Sequence, residues 1–88
     1  MGWVIFRRIY EDEFCVIYTY SHDSHEHDGE IRLTKADLRP EKTILEMAEI
    51  TPSRTDHGKF FAIRAAAFLL TCLLNGEPLP DTKMLAYG

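Results

Sequence analysis

The sequence predicts an α+β domain, an antiparallel meander of three or four strands packed on one long C-terminal helix. Three observations carry this reading. Residues 3–10 and 14–20 are rich in β-branched and aromatic side chains. Residues 30–34 alternate charged and apolar, as a strand with one wet face does. The stretch from Phe60 to Leu74 carries one charge, Arg64, and is apolar on two sides when wound at 3.6 residues per turn.

The elements follow in order. Glu11-Asp12-Glu13 separates the first two strand-like runs by a short acidic turn, which makes them a hairpin. Phe6, Tyr10, Phe14, Val16, Tyr18 and Tyr20 favour one sheet face, and Ile5, Ile9, Cys15 and Ile17 the other. Residues 21–28 are polar throughout, and Asp28-Gly29 is a turn signal ahead of the third strand. Residues 35–42 are a second polar connection containing Pro40, after which residues 43–51 read either way. As a helix they place Ile44, Leu45, Met47 and Ala48 on one face; as a strand they return beside residues 30–34. Past Pro52, Thr55 or Asp56 is positioned to cap the long helix, and Asn75-Gly76 stops it ahead of Pro78 and Pro80.

Eighty-eight residues, with no repeat, low-complexity tract or linker, make a single domain spanning 1–88. The formal charge of −4 disfavours nucleic acid and anionic membranes as partners, since Lys and Arg contacts to phosphate dominate such binding. The N-terminal residues lack the order of a signal peptide, and the apolar run is shorter than the roughly 20 residues of a membrane span. The expected location is cytoplasmic. Cys15 and Cys72 sit inside apolar stretches and fit buried, structural thiols there.

A helix apolar nearly all round asks for cover nearly all round, and so short a chain has little left to supply it. The expectation is a homodimer, or a complex with another protein, with Phe61, Phe68, Leu69, Leu70, Leu73 and Leu74 at the interface. The sharpest chemical candidate is the loop of residues 22–27, where His22, His25 and His27 offer ligands to a divalent transition metal among several carboxylates. A solvated polar loop is the plainer account, and no metalloenzyme spacing is present. His57, Arg64 and Thr71 form a polar stripe on the helix, from which His57 and Arg64 could contact a ligand carboxylate. The four aromatics Tyr10, Phe14, Tyr18 and Tyr20 read as core or interface sooner than as a base-stacking platform. No nucleophile, phosphate loop or dinucleotide motif occurs.

Val16-Ile17-Tyr18, Gly29-Glu30-Ile31, Thr43-Ile44-Leu45, the helix closed by Gly76-Glu77-Pro78 and the ending Ala86-Tyr87-Gly88 together resemble a loose group of small bacterial proteins of unknown function. The resemblance implies a strand over the Thr-Ile-Leu segment, paired with the preceding one, and tips residues 43–51 that way. It implies no activity and no functional residues. The chain thus reads as a non-catalytic, homodimeric interaction or regulatory module with no cofactor. A metal-binding or metal-responsive protein is the alternative, and a small enzyme with a site at a dimer cleft the third reading.

Overall fold

Alternation along the strands decides which side chains meet the helix. In this computed structural model the described residues are 2–22 and 27–87, the last by its backbone alone. They form β1 (Gly2–Glu11), β2 (Cys15–His22), β3 (Gly29–Thr34), α1 (Ile44–Met47), β4 (Ala48–Thr51), a 3₁₀ turn (His57–Lys59), α2 (Phe60–Leu74) and β5 (Thr82–Tyr87). The fold is α+β. One five-stranded sheet has the order β4-β3-β2-β1-β5, with every neighbouring pair antiparallel.

Two expectations about this order need correction. The sheet has five strands where three or four were expected, and α2 is not the last element, because β5 follows it and pairs with β1. Residues 43–51 divide between both readings. Thr43 and Glu46 close a reciprocal capping box around a single helical turn, after which Ala48 is already extended and β4 begins.

Val4 and Phe6 on β1, Val16, Tyr18 and Tyr20 on β2, Ile31 and Leu33 on β3, and Ile50 on β4 point to the helix side, and all are buried. A bulge between Arg8 and Tyr10 changes the parity of β1, so that Tyr10 lies opposite Ile17 on the far face. Tyr10 therefore leaves the helix face on which its spacing put it and is about half exposed; Phe14, in the turn, is exposed as well.

Helix α2 meets the sheet through small residues. Ala62, Ala65 and Ala66 are fully buried beside Leu69 and Leu70. The alanines let the helix axis come close, and the larger Phe61, Ile63, Phe68 and Leu73 then reach the core from the flanks. By length and mean hydropathy (1.4 over His57–Leu74) this segment could cross a membrane; here its inner side lies on the sheet.

The helix start is built from a distance. Gly58 (φ 79°) and Lys59 (φ 62°) kink the chain, and the Asp56 carboxylate accepts hydrogen bonds from the amides of Phe61 and Ala62, both 2.9 Å long. Asp56 is thus the cap of α2, as the sequence suggested, acting across the intervening turn. At the far end Gly76 (φ 71°) donates to the Leu73 carbonyl and Glu77 to that of Cys72 (2.8 Å), a Schellman closure.

Candidate functional site

The residues singled out from the sequence do not converge. His22 ends β2 on the helix face, 9% exposed, with its ring stacked on Phe61 at 3.5 Å between centroids and its Nδ1 3.1 Å from the Trp3 carbonyl. His27 lies near Arg7, an open-face residue, and burial together with that guanidinium holds its pKa below the usual value. His25 lies outside the described residues. Among the described residues no group of three His, Cys, Asp or Glu is placed to hold a metal ion.

On α2, Arg64 is exposed and its guanidinium lies 4.6 Å from the centre of the Phe60 ring. His57, in the preceding turn, is also exposed. The six expected interface residues split. Leu69 (0% exposed) and Leu70 (3%) are interior to this chain, and Phe61, Phe68 and Leu73 are partly buried against the same core. Leu74 alone of the six is exposed, so the outer side of α2 is no continuous apolar surface. The assumption that failed was that one helix on one sheet leaves half the helix bare; the close approach through alanines draws its flanks down as well.

The four aromatics also divide. Tyr18 and Tyr20 are fully buried beneath the helix. Tyr18 donates to the Pro80 carbonyl, and burial pushes its hydroxyl up to about 12. Tyr20 donates to Asp56 (2.6 Å) and accepts from the Ser53 amide (2.9 Å). Ser53 donates in turn to Asp28 (2.6 Å), which also receives the Arg54 guanidinium (3.0 Å). These bonds hold Asp28 down at about 2, the Ser53 hydroxyl first and Arg54 second. This chain of polar groups, buried at Tyr20, Ser53 and Asp56 and exposed at Asp28 and Arg54, pins the loop between β4 and α2.

The acidic turn is equally self-satisfied. Asp12 accepts from Tyr10 and from the amides of Phe14 and Cys15 (2.8 Å each), which lowers its carboxyl to about 2. Glu11 pairs with Lys35 and Arg8. A hollow of about 290 Å³ beside β4 is lined by Arg32, Leu45, Glu46 and Glu49 among others, with charges of both signs. Cys15 and Cys72 are free thiols, and burial raises that of Cys72, which makes it a poor nucleophile.

What remains is the sheet face turned away from α2. Read through the strand registers, Glu30, Arg32 and Glu49 occupy its β3–β4 half. Trp3, Ile5, Tyr10, Ile17 and Met84 occupy its β1–β2–β5 half, with Met84 58% exposed. No family model matches this chain, and neither a curated protein nor a solved structure does. Function must therefore be read from the geometry. The feature missed from sequence is the part Trp3 and Met84 play in this face. Its one local signal is the apolar run Met84-Leu85-Ala86-Tyr87, short and isolated behind two prolines.

Proposed function

We propose that this chain is a homodimeric interaction or regulatory module without catalysis, and that the sheet face turned away from α2 is the surface it offers to another protein. The single observation that carries the reading is the apolar part of that face at Trp3, Ile5 and Met84, where Met84 is exposed and Trp3 and Ile5 are only partly buried. Each large apolar side chain that a partner covers there is worth about 1.5–3 kcal/mol of transfer free energy when fully buried. The polar β3–β4 half gives the surface a direction and a rim. Arg64 is exposed and lies over Phe60, so it lends the enzyme reading no support.

A metal-binding reading keeps one favourable observation: the buried Nδ1 of His27 has no hydrogen-bond partner among the described residues, and its surroundings favour the neutral ring that coordinates metals. A native mass spectrum of untagged protein, purified without a nickel column, tests both readings. A bare dimer supports the interaction module. A stoichiometric metal, lost when His22, His25 and His27 are replaced by alanine, supports the second reading against the first. A bare monomer at high concentration rules out the homodimer.

A further inference from the structure

The two edges of the sheet are built differently. Strand β4 has four residues, carries Glu49, and runs into Pro52. Short length, charge and proline are the usual means by which an edge is kept from pairing. Strand β5 has six residues and no proline or bulge, and its one charged side chain, Lys83, is turned to the helix face, its ammonium 5.5 Å from the centre of the Phe68 ring. Nothing in β5 guards its outer edge.

The hydrogen-bond phase of that edge follows from one bond. The Arg8 amide donates to the Asp81 carbonyl at 2.8 Å, and Arg8 and Asp81 continue the β1–β5 register as an opposed pair. In an antiparallel ladder the hydrogen-bonded pairs alternate with non-bonded ones. Lys83 and Leu85 therefore spend their backbone groups on β1, while Thr82, Met84 and Ala86 turn theirs outward. Among the described residues β5 has no neighbour on that side.

We infer that β5 pairs antiparallel with β5 of a second copy about a twofold axis at Met84, fusing two sheets into one. The inference rests on the homodimer reading and names its contact. Strand self-pairing is self-complementary only in a few registers, and the side chains discriminate among them. With Met84 opposite Met84 of the second copy, Thr82 meets Ala86, and all three outward residues of each chain find backbone partners. Lys83 then faces Leu85 across the seam. Sliding the centre to Lys83 sets two ammonium groups directly opposite, which is destabilising, and brings Pro80, without an amide hydrogen, to face Ala86. The favoured register also joins the apolar halves of the two open faces. Ile5 lies opposite Met84 on β1 and Trp3 two pairs further along on the same face, so the seam becomes the middle of a doubled apolar surface. Edge pairing of this length buries less than the roughly 800 Å² per partner of a standard interface, so a concentration-dependent dimer is expected.

The test is sedimentation equilibrium of the full chain and of two variants, Met84→Lys and Met84→Glu, at a site exposed enough for both to fold. The wild type is expected to dimerise and each variant to dissociate at least about tenfold more readily, because like charges then face each other across the axis. An equimolar mixture of the two variants is expected to recover the dimer, since Lys and Glu now stand opposite. Amide exchange in the wild type supplies a readout free of mutation: Thr82, Met84 and Ala86 become protected as concentration rises. A wild type that is monomeric throughout overturns the homodimer reading and the edge pairing together. A dimer that both variants leave intact overturns the edge pairing alone and moves the contact elsewhere. Variants that dissociate without recovery on mixing overturn the register centred on Met84.

Discussion

Replacing Asp56 by alanine should remove more stability than any exposed-loop change in the molecule, because one carboxylate serves two buried donors and a third that is partly buried. Asp56 is 2% exposed and accepts from Tyr20 Oη at 2.6 Å and from the Phe61 and Ala62 amides at 2.9 Å. Loss of a helix cap costs about 1 kcal/mol. Each buried donor left without an acceptor costs about 1–3 kcal/mol, and both Tyr20 and Ala62 are fully buried. The expected loss is about 3–5 kcal/mol, a large part of the roughly 5–15 kcal/mol that holds an ordinary domain folded. Asp56→Asn, which keeps one acceptor oxygen, should lose about half as much. Urea titration followed by far-ultraviolet circular dichroism measures both, with the transition slope checked for constancy. Tyr20→Phe closes a double-mutant cycle with Asp56→Ala, and a coupling of about 1 kcal/mol or more is expected if the two act as one unit. An Asp56→Ala protein within about 1 kcal/mol of wild type would refute the capping and network reasoning outright.

Gly29→Ala should destabilise by about 1–3 kcal/mol, the usual cost of overpacking, because a Cβ there would fall 2.2 Å from the Tyr20 ring; an unchanged urea midpoint would show that the ring moves aside freely. Asp28, held at about 2 against its usual 3.8, favours the folded state fully above about pH 4 and loses that contribution as pH falls toward 2. The gap in urea midpoint between wild type and Asp28→Asn should therefore close over that window, and a pH-independent gap would count against the Ser53 and Arg54 bonds. Tyr18, raised to about 12, works in the other direction: its contribution is complete below about pH 10 and is lost as pH rises through 12, which tyrosinate absorbance alongside alkaline unfolding will follow. Leu70→Asp should unfold the chain, since Leu70 is interior; a folded monomer would mean that the packing of α2 is misplaced.

Local physics made much of the fold legible. The first three strands, the limits of α2, its Asn75-Gly76 stop and the capping role of Asp56 all follow from periodicity and turn chemistry within a few residues. The β1 bulge left no mark in composition, yet it reversed the side on which Tyr10 lies. Strand β5 was missed because its evidence is nonlocal: six unremarkable residues become a strand only when β1 offers them an open ladder. The surface estimate for α2 failed for a packing reason, since Ala62, Ala65 and Ala66 bring the helix close enough to cover its own flanks. Within the histidine loop, His22 was drawn into the core by Phe61, a contact that sequence spacing does not encode.

The return of β5 to β1 also sets an order of events in folding. β1 to β3 form by successive hairpins that close short loops, whereas the Arg8–Asp81 contact joins residues 73 apart in the chain. Closing that loop costs entropy that grows with the logarithm of its length and is repaid only after α2 has docked. β5 should therefore be the last strand to arrive and the first to leave. Nascent chains would pass through a state in which β1 has an empty edge, open to the β5 of a neighbour as readily as to its own. Domain exchange during synthesis, as distinct from association of finished molecules, is the hazard this topology accepts.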